Sequence, residues 1–303
     1  MKVLITGATG FIGSAVVKRL LHEENHVTAL VRNIERARER LGNTVQIERI
    51  TQTNEQLDSL ISSADGVINL AGEPVIGQRW SSERKKSLRR SRVGLTRNLV
   101  DSIGRSDSKP RVLISASAVG FYGDGKNNKL NESAPAGEGF LAKLSRDWEM
   151  EALKARRHGV RVACPRIGVV LGNDGGALTK MLPPFRLGLG GPVGTGRQFV
   201  PWIHLADVVG MIVVALSDEQ FYGPFNATAP EPVTFKEFAN ALGKQLNRPA
   251  ILPAPGFALK LMYGEAAEVL LTGQRAVPDA ASKAGYEFRF NSLPEALKDL
   301  LNS

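Results

Sequence analysis

Lys2-Val3-Leu4-Ile5-Thr6-Gly7-Ala8-Thr9-Gly10-Phe11-Ile12-Gly13-Ser14 is the stretch that decides the fold. A short β-rich run enters a turn with three evenly spaced glycines, and helical spacing then continues from Ser14 to Glu24. His26 to Val31 is a second apolar strand, so the segment reads as one strand-helix-strand unit. At such a turn one glycine permits the tight bend and one lets the backbone approach a pyrophosphate. The third lets helix and strand pack closely, while the helix N-terminus stabilises the anion. Gly7, Gly10 and Gly13 stand at those places.

The alternation continues outward. Val45 to Ile50, Gly66 to Leu70 and Arg111 to Ser115 read as strands, separated by helices at Asn54 to Ser62 and Ser82 to Ile103. Strands alternating with helices imply a parallel sheet covered on both faces. A helix to about Arg157, a strand from Val160 to Cys164 and the apolar run Ile167 to Leu171 extend the pattern. From Gly172 to Gly196 glycine and proline are dense, which suits loops and short elements along one wall of a cleft. The fold class is therefore α/β, a Rossmann doubly wound parallel sheet with a smaller C-terminal substrate-binding lobe. Residues 1–172 form the nucleotide-binding domain and 173–303 the lobe, with 197–216 returning to the first domain.

The 303 residues are 43% hydrophobic and 23% charged, the balance of an ordinary globular chain. No apolar run approaches the ~20 residues of a membrane-spanning helix, and the apolar start is too short for a signal peptide, so the expected location is cytoplasmic. A single cysteine, Cys164, excludes an intramolecular disulfide and a Cys-rich zinc site; no metal is expected, and buried packing is the expected role of this thiol. With 39 Lys and Arg against 30 Asp and Glu, the net charge is +9. Such an excess suits nucleic acid, an anionic membrane or a phosphate-bearing small molecule.

The end of the second strand selects the dinucleotide. An acidic residue there bonds a ribose 2′-hydroxyl, whereas an arginine accommodates a 2′-phosphate. This chain has Arg32, and no carboxylate before Glu35. NADP(H) is the expected cofactor, against the bland reading of an exposed arginine.

Thr6 to Gly13, Asp65-Gly66-Val67-Ile68-Asn69-Leu70-Ala71-Gly72 and Ser115-Ala116-Ser117-Ala118-Val119 resemble segments of the extended short-chain dehydrogenase/reductases. Pro165-Arg166-Ile167-Gly168-Val169 resembles the stretch beside the nicotinamide, and Arg197 to Val200 with Ile203 to Asp207 resembles the substrate-diphosphate arm of sugar-nucleotide epimerases. The resemblance implies cofactor contacts from Gly7, Thr9, Gly10, Phe11, Ile12, Gly13, Arg32, Leu70, Ala71, Gly72, Arg92, Ser115, Pro165 and Ile167. It implies substrate contacts from Arg92, Arg197 and Trp202.

These enzymes carry Tyr-x-x-x-Lys on the helix after the serine, because the lysine lowers the pKa of a phenol that exchanges a proton with the substrate. Aligned on Glu149, the chain has Leu141 and Ser145 at those places, and Lys143 is off the spacing. Arg92 stands where relatives have the asparagine of their proton relay. This pattern, with Arg79-Trp80, Asp147-Trp148-Glu149 and Leu270 to Arg275, is similar to an atypical branch labelled epimerase family protein. That branch is also linked by name to a cell-division inhibitor in cyanobacteria and plastids.

Ser117 aligns with the family serine and is the leading candidate to hold a reacting oxygen; otherwise it closes a turn. Tyr122 is a replacement acid or a structural tyrosine, and His204 a proton shuttle or a satisfied structural histidine. Arg92 and Arg197 suit binding, since a guanidinium keeps its proton and its planar fork fits phosphate.

Two functional readings follow. One is an NADP(H)-dependent oxidoreductase or epimerase acting on an anionic hydroxy or keto compound, a nucleotide-linked one included. The other is a non-catalytic NADP(H)-binding regulator or scaffold read by a protein partner, for example in cell or plastid division.

Between Arg79 and Arg92 seven basic residues face only Glu83, and Arg32 to Arg40 adds four arginines. Few aromatics are interleaved, which argues against nucleic acid, and no membrane partner is expected. The clusters are assigned to phosphorylated small molecules. The protein is a monomer or homodimer, and the charge on Ser82 to Ile103 would make that helix repel its copy.

Overall fold

The computed structural model describes residues 1–50 and 53–302; Thr51, Gln52 and Ser303, which fall within the expected domain ranges, lie outside the described residues. The chain begins β1 (Lys2–Thr6), α1 (Phe11–His22), β2 (His26–Val31), α2 (Ile34–Leu41), β3 (Gln46–Arg49), α3 (Asn54–Ser62) and β4 (Gly66–Asn69). It continues α4 (Ser82–Arg89), α5 (Leu95–Arg105), β5 (Val112–Ser115), β6 (Ser117–Ala118), β7 (Lys129–Leu130), α6 (Phe140–Leu153) and β8 (Arg161–Ile167). Then come β9 (Val169–Gly172), β10 (Gly175–Gly176), α7 (Leu178–Arg186), β11 (Phe199–Val200), β12 (Trp202–His204) and α8 (Leu205–Ser217). The last elements are β13 (Gly223–Ala227), β14 (Val233–Thr234), α9 (Phe235–Gln245), α10 (Gly256–Tyr263), α11 (Glu268–Leu271), β15 (Arg275–Ala276), α12 (Asp279–Lys283) and α13 (Leu293–Asn302).

The main sheet has the order β13-β8-β5-β4-β1-β2-β3, with β6 also on β8, and these pairings are parallel. Side chains alternate across it as the strand period requires. Val3 and Ile5 enter one cluster with Val16, Val17, Leu20 and Met211. Leu4 enters the opposite cluster with Leu99, Ile103, Leu113 and Cys164. Helices α1 and α8 pack together, and α5 packs against both α3 and α6, so both faces are covered. The architecture is a Rossmann-like doubly wound sheet. Its order reverses between β1 and β4, where such sheets open a crevice at the carboxyl ends of the strands.

The structure adds detail to the sequence reading at three places. Within 173–303, the segment that rejoins the large sheet extends past residue 216, because β13 pairs with β8 in register Gly223↔Ala163 to Ala227↔Ile167. The stretch Gly172 to Gly196, read as loops and short elements, contains the short helix α7, held by burial of Leu178, Leu182 and Phe185 despite Pro183 and Pro184 inside it. The long helix from Ser82 is interrupted by a π-helical turn, Arg90–Gly94, before α5. Such turns concentrate at functional sites.

A second core fills the C-terminal lobe, where Trp202 packs with Phe238, Leu242 and Leu297. Trp202 is 1% exposed and its indole N–H donates to the Glu231 carbonyl at 2.9 Å. Its expected substrate contact is therefore corrected to a core role: apolar neighbours enclose the ring and its one donor is used.

Cys164 is fully buried, and burial pushes its thiol pKa up. A thiolate-selective reagent is therefore expected to leave the native protein unlabelled at neutral pH and to modify one thiol per chain after unfolding. Fast native labelling would contradict this packing.

Candidate functional site at the carboxyl ends of the sheet

The turn after β1 is closed by backbone crowding. Gly7 has φ +73°, and a Cβ there would stand 2.6 Å from the Leu70 carbonyl carbon and 2.7 Å from the Ala71 nitrogen. A Cβ on Gly13 would stand 2.1 Å from the Gly7 oxygen. These two positions exclude side chains because the β1 turn, α1 and the end of β4 meet there. Gly10 caps α1 without a side-chain acceptor, and the first turn of α1 carries no acidic residue. Its initial amides are suited to an external anion. The Phe11 ring lies against Gly172, Gly175 and Gly176, whose substitution would bring a Cβ within 2.8 Å of it. Thr9 and Ile12 flank this turn, both partly exposed.

Behind the turn, the strand ends are cross-linked. Thr6 Oγ1 donates to Asn69 Oδ1 at 2.7 Å, and Asn69 Nδ2 donates to Thr96 Oγ1 at 2.8 Å and Ser115 Oγ at 3.3 Å. Trp148 Nε1 donates to the same Thr96 oxygen at 2.8 Å. This buried network fixes β1, β4 and β5 relative to α5 and α6, and it uses Ser115 as a structural acceptor.

At the rim, Arg32 is exposed at the end of β2. The Ser87 hydroxyl, Arg84 and then Arg32 hold the nearby Glu73 carboxyl below the usual carboxylate range, against a partial rise from burial. Arg84 pairs with Glu73, while Arg92 Nη2 donates to the Glu73 carbonyl at 2.8 Å. The Arg92 guanidinium lies against Gly72 and 5.4 Å from the Trp148 ring centroid. Burial pushes its pKa down to about 10, which leaves it charged at neutral pH.

The basic run thus has internal partners. Lys85 pairs with Glu265 at 2.6 Å and Arg89 with Asp147 at 2.5 Å, and Arg79 donates to the Leu261 and Met262 carbonyls. The sequence reading that set the whole cluster toward phosphorylated ligands is corrected here. Much of it fastens α4 to the Glu73 loop and to the segment around α10.

Ser117 donates to Glu149 Oε1 at 2.6 Å. Glu149 accepts Arg166 Nε at 2.8 Å and Nη2 at 2.9 Å, with both side chains buried. Arg166 Nη1 donates to the Tyr122 oxygen at 2.9 Å, and that hydroxyl lies 2.8 Å from Asn226 Oδ1. Burial raises the Tyr122 pKa, with Arg166 opposing the shift. Tyr122 is thereby held as a network member. Glu149 and Arg166 were missed as functional residues by sequence reasoning, although an arginine inside the apolar strand Ala163-Cys164-Pro165-Arg166-Ile167 demands a buried partner.

The remaining candidates are dispersed. A Cβ on Gly120 would meet Leu141 at 3.3 Å and Ser145 Oγ at 3.9 Å, so these two face the loop that follows Ser117. Lys143 is exposed. His204 Nδ1 accepts the Ala206 N–H at 3.0 Å and caps α8, its ring 3.9 Å from Phe290 and its Nε2 3.3 Å from Asp299. Burial lowers its pKa. This places the imidazole in the lobe packing, away from the Ser117 network. Arg197 is exposed on the lobe, two residues before Phe199, whose ring carries Arg275 at 5.3 Å. Pro165 and Ile167 lie on β8 beside Arg166.

Residues 3–227 match the NAD dependent epimerase/dehydratase family, and residues 254–300 match a domain of unknown function, DUF1731. The chain belongs to the NAD-dependent epimerase/dehydratase family, in its atypical short-chain dehydrogenase/reductase branch. It is 42% identical over 304 residues to the chloroplastic epimerase family protein SDR39U1 homolog of Arabidopsis thaliana, covering 99% of this chain and 87% of that protein. It is 38% identical over 305 residues to epimerase family protein SDR39U1 of Mus musculus, covering 99% and 100%. The crystal structure of human SDR39U1 (isoform 2) with NADPH matches with a TM-score of 0.89 at 34% identity, over 100% of both chains. UDP-glucuronic acid 4-epimerase from Bacillus cereus, in complex with UDP-glucuronic acid and NAD, shares the fold, with a TM-score of 0.78 at 18% identity over 100% and 98%.

Glu149→Gln removes the charge opposite a buried guanidinium and is expected to cost about 3–5 kcal/mol of stability. Tyr122→Phe leaves Arg166 and Asn226 short of one partner each and is expected to cost about 1–3 kcal/mol. Denaturant unfolding checks both, and wild-type stability in Glu149→Gln would contradict the assigned pair.

Proposed function

We propose that the protein is an NADP(H)-binding oxidoreductase or epimerase acting on an anionic hydroxy or keto compound, with nucleotide-linked substrates included. The observation that carries the cofactor assignment is the side-chain-free cradle at Gly7 and Gly13 beside the open amide end of α1. Arg32 at the neighbouring strand end suits a 2′-phosphate, and human SDR39U1, similar over its whole length, was crystallised with NADPH. Gly7, Thr9, Gly10, Phe11, Ile12 and Gly13 would hold the diphosphate side, with Leu70, Ala71 and Gly72 along the cofactor. Pro165 and Ile167 would lie at its far end. Bound there, the cofactor supplies hydride chemistry.

The chain's own residues then divide the remaining tasks. Arg92, charged and half-buried behind Gly72, and exposed Arg197 would hold negative charge on the ligands. Ser117 is the catalytic candidate. Its proton is directed to Glu149, so its oxygen is free to accept from a substrate hydroxyl. Leu141 and Ser145 offer no phenol-ammonium pair, the Tyr122 hydroxyl is engaged by Arg166, and His204 Nδ1 is engaged in capping α8. These same features favour the second reading, in which cofactor occupancy sets a conformation that a protein partner reads.

Arg32→Asp is expected to weaken NADPH binding by roughly tenfold to a hundredfold, the range of a lost charged hydrogen bond, and to leave NADH binding less affected. Fluorescence titration checks this, and an unchanged preference overturns the 2′-phosphate assignment. NADPH-loaded protein incubated with sugar nucleotides and carbonyl compounds separates the two readings. Turnover that disappears in Ser117→Ala supports the enzyme; retained cofactor without turnover, together with a recovered protein partner, supports the regulator.

A further inference from the structure

The C-terminal lobe carries an apolar surface that the site does not use. Leu187 is 74% exposed and Leu189 59%, on the loop after α7. Ile251 is 75% exposed and Leu252 48%, on the segment beside that loop. The two segments are joined by backbone bonds from Leu252 N to Gly190 O at 3.2 Å, Ala254 N to Pro192 O at 2.9 Å and Gly194 N to Ala254 O at 2.9 Å. They lead into α10, a helix with no buried residue, on which Phe257 is 77% exposed and Leu261 73%. Phe257, Lys260 and Leu261 share one helix face by their spacing.

The charges in these segments have one sign. Residues 175–206 and 238–264 hold no Asp or Glu. Their Lys and Arg residues, Lys180, Arg186, Arg197, Lys244, Arg248 and Lys260, are all exposed. Glu265, the first carboxylate after α10, is paired with Lys85 at 2.6 Å. An apolar face of Phe and Leu set among cations is the composition of a surface that lies in a lipid headgroup layer. A twofold contact with a second copy would instead bring the same cations together without carboxylates from these segments to answer them.

We propose that this face, formed by the loop after α7, residues 249–255 and α10, docks on an anionic phospholipid surface. Phe257, Leu261, Leu187 and Ile251 enter the interfacial layer, and Arg186, Arg248 and Lys260 meet lipid phosphates. The contact proposed is with the surface of the bilayer: no helix among the described residues is long and apolar enough to cross it. The docking helix is tied to the cofactor-cleft rim through Arg79, which donates to the Leu261 and Met262 carbonyls, and through the Lys85–Glu265 pair. The proposal is independent of whether the cleft is catalytic.

Sedimentation with vesicles tests it, using phosphatidylcholine alone and equal parts phosphatidylcholine and phosphatidylglycerol. The full chain is expected to co-sediment with the anionic vesicles and not the neutral ones, less so as salt is raised. Phe257→Ser with Leu261→Ser is expected to lower that binding by about tenfold or more. Arg186→Gln with Lys260→Gln is expected to lower it by about fivefold per charge. Unchanged thermal unfolding and NADPH titration of the variants show that the fold is intact. Failure to prefer anionic vesicles, or preference undiminished in the apolar double variant, overturns the proposal. So does a dimer seen by sedimentation velocity that the same apolar substitutions dissolve.

Discussion

No side chain fits at Gly7 or Gly13, because backbone from three elements converges there: the end of β4, the β1 turn and the first turn of α1. The rest of the site depends on that crowding. It aligns the amide end of α1 with the crevice where the sheet order reverses, and it brings Leu70 to Gly72 alongside. Arg92 can then lie over Gly72, and the π-helical turn that carries it interrupts what would otherwise be one long helix. The network through Asn69 holds the same strand ends from behind, so rigidity is concentrated where a ligand would be gripped.

Beside this rigid edge lies a buried polar network. Leu141 and Ser145 line the loop that follows Ser117, while the buried carboxylate of Glu149 binds both Ser117 and Arg166. A buried ion pair gains little net stability over an apolar pair, but breaking it is costly, so it fixes geometry. Here it fixes the orientation of the Ser117 hydroxyl. The positive charge is likewise structural in part: Arg79, Arg84, Lys85 and Arg89 hold α4 against the Glu73 loop, α6 and the segment around α10.

The large domain was legible because its signals are local. The glycine turn and the short apolar runs of β1, β4 and β5 each act within a few residues, and the sheet follows. The chain was less legible where tertiary context overrides local preference. Pro183 and Pro184 suggest a broken chain, yet α7 persists because Leu178, Leu182 and Phe185 are buried. Trp202 looked like part of a substrate arm, but its strand passes through the lobe core. Of the two roles weighed for His204, proton shuttle or structural histidine, the cap it forms on α8 is the structural one. The Glu149–Arg166 pair joins residues 17 positions apart on different elements, which no periodicity reveals.

Hydrogen exchange of the unmodified protein with NADPH and with NADH measures the central claim at the cradle itself. Slowed exchange is predicted at residues 7–13 and 70–73 with either dinucleotide, and additional slowing at residues 32–34 with NADPH alone. Protection absent from the glycine turn, or identical for the two dinucleotides at Arg32, would contradict the account.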